Sequence, residues 1–153
     1  MKLLESGLPF ENITIMIQSE VADRLCAPPG GKDCGAITAV LNYYGAPEKL
    51  FKVSAGNFIP APKVDSSVVR IRLYPDKPVK PLDEHTFFKT IRAAFEQRRK
   101  TLPNALSAVF SEISKEDITE IIVSCGYEPT IRGEKLSVKD FAKLSDELYK
   151  KTK

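Results

Sequence analysis

The sequence predicts an α/β protein, about three strands with interleaved helices, followed by a small all-helical unit. Three observations carry this. Strand-like runs fall at 12–18, 49–54 and 66–74 with helix-period stretches between the first two, and no strand pattern of comparable strength appears after residue 80. Between the two regimes "PDKPVKP" (75–81) packs three prolines and three charges into seven residues. The boundary is placed there, giving an α/β unit over 1–79 and a helical unit over 80–153, within a 153-residue chain long enough to bury a real core.

Residues 1–8 read as the tail of a helix ending at Gly7 and Pro9, and "NITIMIQ" (12–18) reads as a parallel-type strand buried on both faces. Ser19 stands where an N-cap belongs on "SEVADRLCA", with Glu20 at the positive helix start and Arg24 four residues on as its ion-pair partner. "PPGGKDCG" (28–35) is a loop, and "AITAVLNYYG" (36–45) is a helix capped by Gly45. In "SSVVRIRLY" (66–74) Val69, Ile71 and Leu73 alternate with Arg70 and Arg72, so one face is buried and the other polar. "LDEHTFFKTIRAAFEQRRK" carries Phe88, Ile91, Phe95 and Leu102 on one side and Lys89, Arg92, Glu96 and Arg99 beside them, an amphipathic helix. Pro103 then breaks it before a short helix in "NALSAVF". "SKEDITEIIVSCG" opens on an S-x-x-D cap and ends at Gly126, and the final helix opens on Ser137 and Asp140.

Composition excludes several classes of function. Hydrophobic residues are 42% and charged residues 28%, an ordinary globular balance, and no apolar run approaches the ~20 residues of a membrane span. The start lacks a secretory signal pattern, so the expected address is cytoplasmic. Cys26, Cys34 and Cys125 show no C-x-x-C spacing and the one histidine is His85, so no metal set is legible and the thiols read as reduced and buried or half-buried. His85 beside Glu84 reads as a solvated surface residue. No glycine-rich turn follows a strand, and no serine nucleophile elbow is present. The net charge of +3 is concentrated: residues 63–101 hold ten basic and five acidic side chains, a local +5 that suits a polyanion or a solvated helix face.

In "NFIPAPKVDSSVVRIRL" (57–73) an aromatic ring precedes two prolines and a strand. Taken alone, Phe58 reads as packing that caps the sheet. Lys63 has two readings, a phosphate contact or a solvated lysine. "QRRK" (97–100) also has two, RNA phosphates for Arg98, Arg99 and Lys100 or a structural salt bridge with the arginine nearer the apolar side. Gln18 lies at a strand's carboxyl end, near a catalytic rim or in a buried hydrogen bond.

Together "IMIQSEVADRL" (15–25), "FIPAPKVDSSVVRI" (58–71), "FEQRRKTLPNAL" (95–106) and "RGEKLSVKDFAKLSDEL" (132–148) resemble the ribosomal RNA adenine dimethyltransferases of the KsgA/RsmA type, in the right order over essentially the whole chain. The resemblance is to their later part only. It implies the C-terminal part of a Rossmann-like methyltransferase sheet. It also implies that the glycine-rich S-adenosylmethionine loop, the acidic ribose contact and the Asn-Leu-Pro-Tyr motif lie outside this sequence, so that no catalytic set is complete here. Cys34, where the family commonly has an aromatic, and Pro103 depart from the family pattern.

What the resemblance implies for function is specific. The full-length enzyme would use S-adenosylmethionine to dimethylate the exocyclic amines of two adjacent adenosines near the 3′ end of small-subunit (16S) rRNA, acting on the 30S subunit during ribosome biogenesis and as a monomer. This chain alone would bind no cofactor and be inactive. Phe58 would stack on the extruded adenine, with Pro60 and Pro62 restraining the loop, and Lys63, Arg98, Arg99 and Lys100 would be RNA contacts. A sheet so cut exposes the edge of strand 12–18, an invitation to self-association. Rival readings are a non-catalytic rRNA- or ribosome-binding module and a large-subunit methyltransferase of the erythromycin-resistance type; "RGEKLS" with "RRKTL" favours the small-subunit type over the latter.

Overall fold

The computed structural model describes residues 2–5, 8–31 and 33–153. Its elements are α1 (Lys2–Glu5), β1 (Asn12–Gln18), α2 (Ser19–Leu25), α3 (Ala36–Tyr44), β2 (Gly45–Val53), β3 (Ser66–Leu73), α4 (Glu84–Glu96), α5 (Leu102–Ser107), α6 (Lys115–Ser124) and α7 (Val138–Lys151). Gly7, the expected stop of the first helix, lies outside the described residues. The strands form one sheet in the order β1-β3-β2, with β3 antiparallel to both neighbours. The first and second strands therefore run the same way, and their carboxyl ends meet one rim of the sheet.

Strand β1 corrects an expectation. It is not buried on both faces; among the described residues it pairs with β3 alone, antiparallel, and its residues alternate between exposed and half-buried. Asn12, Thr14 and Gln18 already impose a period of two, which Met16 hides by being apolar on the outward side. Helices α2 and α3 cover the other side, where Ala22, Leu25, Leu41, Val69 and Ile71 form a small core with Ile15 and Ile17 against it. On the uncovered side the register aligns Met16, Val68 and Phe51 in a row across the three strands, with Met16 52% and Phe51 58% exposed. Arg70 and Arg72 lie one and two rows further on, sharing the Glu48 carboxylate at 2.9 and 3.1 Å.

Gly45 is not a left-handed helix cap. Its φ is −174°, and it opens β2 directly after α3. Glycine is needed for a different reason: a Cβ there would stand 2.4 Å from the Arg72 carbonyl oxygen. Ser19 is likewise not the N-cap of α2. The cap position is Gln18, without a side-chain bond, and the Ser19 hydroxyl pairs with that of Ser67 at 2.9 Å. The expected Glu20–Arg24 pair does form, at 2.8 Å.

After residue 80 the described elements are helices and one 3₁₀ turn. Asp83 caps α4 by accepting the Thr86 amide, and α4 ends at Glu96, so "QRRK" is a turn rather than the helix's last turn. Pro103 does not end a helix; it sits in the first turn of α5, where no backbone N–H is required. Ser114 accepts the Asp117 amide to start α6, Gly126 follows its end at φ +92°, and Ser137 with Asp140 makes the reciprocal cap of α7. Phe87, Ile91, Leu102, Leu106, Phe110, Ile118, Phe141, Leu144 and Leu148 fill the helical core, and Ala39, Tyr43 and Tyr44 of α3 join it. Helix α3 thus faces two ways, lending Leu41 to the sheet's core and its tyrosines to the helices.

Candidate functional site

The register places Gln18, Ser66 and Val53 in one row at the rim where β1 and β2 end. Between Val53 and Ser66 runs the loop that carries Phe58. Its first part is a 3₁₀ turn over Ala55–Asn57, capped by the Ser54 hydroxyl, and the Phe58 amide donates to the Ala55 carbonyl at 3.2 Å. Its last residue, Asp65, reaches back. One carboxylate oxygen accepts the Ala55 amide at 2.9 Å, the other meets Lys52 Nζ at 2.7 Å, and the Asp65 carbonyl accepts the Ser19 amide at 3.0 Å. The hydrogen bond from Lys52, then that from the Ala55 amide, holds the Asp65 carboxyl below its ordinary value.

So braced, the loop presents Phe58 half-buried while Ile59, Pro60, Pro62 and Lys63 are exposed. Ile59 touches nothing that covers it. A cavity of about 300 Å³ lies at the foot of the loop, lined by Gln18, Ser19, Glu20, Lys52, Lys63, Val64 and Asp65. Gln18 is exposed on this rim, not buried in a hydrogen bond. Lys63 has no ion-pair partner among the described residues. The structure brings Gln18 and Lys63 to one cavity wall, and Phe58 stands outside the set that lines it.

The basic turn divides. Arg98 donates to the Cys34 carbonyl at 3.0 Å and lies 3.8 Å from Glu134, and nearby Lys135 donates to the Gly30 carbonyl at 3.2 Å. Both cations tie the α2–α3 loop to the helical unit. Arg99 and Lys100 are exposed, their side chains without partners among the described residues, and they line an open cavity of about 440 Å³ with Phe95, Glu96, Gln97 and Arg98. No acid–base pair forms at Glu84 and His85: Glu84 accepts the Tyr43 hydroxyl at 2.5 Å, and His85 is exposed. Burial pushes all three thiols above the usual cysteine value. Among the described residues no three metal-ligating side chains come together, and no helix is long and apolar enough to cross a membrane.

Asp65 and Lys52 were not legible as site residues. The available signal was an acid in the last position before a strand, across from a Ser-Ala-Gly turn at the other end of the same loop.

Solved structures share the fold. The chain superposes on a dimethyladenosine transferase from Plasmodium falciparum with a TM-score of 0.81 at 24% identity, over 97% of this chain and 61% of that one. On the 23S rRNA methyltransferase ErmE the TM-score is 0.65 at 18% identity, over 95% and 57%. The fold is therefore one found in methyltransferases. The particular family follows from sequence: the model of the ribosomal RNA adenine dimethylase family matches residues 1–150, and the chain belongs to that family. It is 47% identical over its whole length to the ribosomal RNA small subunit methyltransferase A of Lachnoclostridium phytofermentans, covering 53% of that protein. With the protein of the same name from Halothermothrix orenii it shares 44% identity over 99% of this chain and 50% of that one. The chain spans about half the length of the curated relatives it matches.

Proposed function

We propose that this chain supplies the base-facing rim and the helical RNA-binding unit of a methyltransferase that dimethylates the exocyclic amines of two adjacent adenosines near the 3′ end of small-subunit rRNA. The observation that carries the reading is the braced Ser54–Asp65 loop, which holds Phe58 at the rim where the two like-directed strands end. An amine inside a stacked helix is out of reach, so the adenosine must swing out, and a free adenine face gains about 1–3 kcal/mol by stacking on an aromatic. Phe58 receives that face. Pro60 and Pro62 fix their φ angles and reduce the freedom lost on docking. Lys63 approaches the flanking phosphate, and Arg99 with Lys100 holds a more distant stretch of the RNA backbone. The division at residues 79 and 80 separates these two tasks.

S-adenosylmethionine, the methyl donor of such a reaction, does not fit the residues described here. The two glycines with positive φ, Gly30 and Gly126, lie in the α2–α3 loop and after α6, and neither opens a helix directly after a strand as a phosphate- or carboxylate-cradling turn does. The chain by itself is expected to be inactive, and calorimetry to register no S-adenosylmethionine binding; micromolar binding would overturn that. In the longer protein carrying these residues, Phe58→Ala is expected to lower kcat/KM on small-subunit RNA at least tenfold, consistent with a lost stack. An unchanged kcat/KM sinks the reading. A non-catalytic RNA-binding module is the second reading, favoured by the unpaired Arg99 and Lys100, and it predicts RNA binding that is indifferent to Phe58.

A further inference from the structure

We infer that Asp65 is the positioning residue of the base-stacking loop, a clasp that holds Phe58 in place through the Ala55 amide. The inference rests on the reading of Phe58 given above. The loop enters at Ser54 and leaves at Asp65, and its two ends are not joined by the strand ladder, whose final pair is Val53 with Ser66. What joins them is a side chain. Asp65 accepts the Ala55 amide at 2.9 Å, and Ala55 in turn accepts the Phe58 amide at 3.2 Å, so a continuous chain of bonds leads from the carboxylate to the aromatic residue. The Asp65 carbonyl also takes the Ser19 amide at 3.0 Å, and the hydroxyls of Ser19 and Ser67 meet at 2.9 Å, which fixes the clasp to the ends of two strands.

The two partners of the carboxylate do different work. Lys52 is 65% exposed, and an ion pair in water contributes little and is screened by salt. The Ala55 amide is a backbone donor that helps set the direction of the 3₁₀ turn, and a carboxylate accepting a backbone N–H makes one of the stronger hydrogen bonds available. The amide bond is therefore the part that positions, and the lysine is an accessory. Without it the segment between Ser54 and Asp65 samples more conformations, and ordering them on docking offsets part of the stacking gain.

The chain contains no tryptophan, so Phe58→Trp introduces a single fluorescent reporter. The probes are an RNA hairpin with adenosines in its loop and the same hairpin made abasic at those positions. In the Phe58→Trp background the adenine hairpin is expected to bind at least tenfold more tightly than the abasic one and to quench the emission. Adding Asp65→Ala is expected to lower that adenine-to-abasic ratio about fivefold or more and to speed Ala55 amide exchange by at least tenfold, with abasic affinity unchanged within twofold. Asp65→Asn, whose amide oxygen still accepts the Ala55 N–H, is expected to restore at least half of the ratio. Lys52→Ala is expected to leave it within twofold. If Phe58→Trp alone shows no preference for adenine, the stacking reading fails. If it does and Asp65→Ala keeps the full ratio, or lowers abasic affinity in step, the clasp is overturned. Should Asp65→Ala not fold, Asp65→Asn and Lys52→Ala decide: equal losses from both would assign the effect to the ion pair and overturn the amide clasp.

Discussion

The sheet unit and the helical unit bury their side chains to very different degrees. Of the twelve largest fully buried side chains among the described residues, eleven follow residue 80 and only Tyr43 precedes it. Of the thirteen exposed large hydrophobics among the described residues, eleven precede residue 80, and Leu82 and Val123 follow it. One unit is closed around its own core and the other has a covered and an uncovered face. The difference teaches where the stability of this chain resides: the helices, with α3 as their extension, hold themselves together, while the rim carrying the Ser54–Asp65 loop is built on a sheet with little core of its own.

Phenylalanine truncations test this most severely. Phe141→Ala is expected to cost about 3–5 kcal/mol in denaturant unfolding, whereas Phe51→Ala on the uncovered face should cost under about 0.5 kcal/mol. Equal losses would break the comparison.

A second test uses the caps of the helical unit. Asp140 accepts the Tyr127 hydroxyl at 2.5 Å and the Ser137 amide at 2.8 Å; burial works to raise its carboxyl, but these bonds outweigh it and leave the group below its ordinary value. A carboxylate depressed in the folded state stabilises above its unfolded value, near 3.9, and loses that contribution as pH falls through the lower folded value. Asp140→Asn is expected to cost about 1 kcal/mol at pH 7, and the gap to the parent should narrow as pH falls below about 4 and close past the lower folded value. A gap that persists at pH 2 would assign the effect to packing.

RNA binding gives a third test, smaller in free energy. Arg99→Ala with Lys100→Ala should reduce the slope of log affinity against log salt by up to about 2, with the melting temperature unchanged. Arg98→Ala should do the reverse, lowering the melting temperature through the lost Cys34 bond and moving the slope less. The smallest effect expected is self-association through β1. Met16→Lys should remove any concentration dependence of the sedimentation coefficient that the parent chain shows, because edge strands are blunted by inward or lateral charge. A dependence that survives it would place the contact elsewhere.

Much of the fold was legible from local chemistry. The caps at Ser114 and Ser137, the Gly126 stop and the alternation of Val69, Ile71 and Leu73 with two arginines are rules that act within a few residues, and they held. What failed depended on partners distant in sequence. Gly45 resembles a helix stop until Arg72 is brought against it, and Ser19 resembles a cap until Ser67 takes its hydroxyl. The one-sided burial of β1 was marked by Asn12, Thr14 and Gln18 but masked by Met16, an apolar residue on the outward side. For the candidate site, the aromatic, the prolines and the basic turn were visible as residue types, but the split of Arg98 from Arg99 and Lys100 needed the Cys34 carbonyl. Asp65 was invisible because its role is a bond to a backbone amide ten residues earlier, and amides leave no mark in a sequence.

Strand β3 is central in space but last of the three in the chain. Within this sheet β1 and β2 do not pair with each other, and the ladder partner they share is residues 66–73. The β2–β3 pairing closes a loop of twelve residues, and the β1–β3 pairing spans nearly fifty, so the first should form ahead of the second. The order of assembly thus sets the Ser54–Asp65 loop early, between the two strands that meet first, and brings β1 onto β3 afterwards.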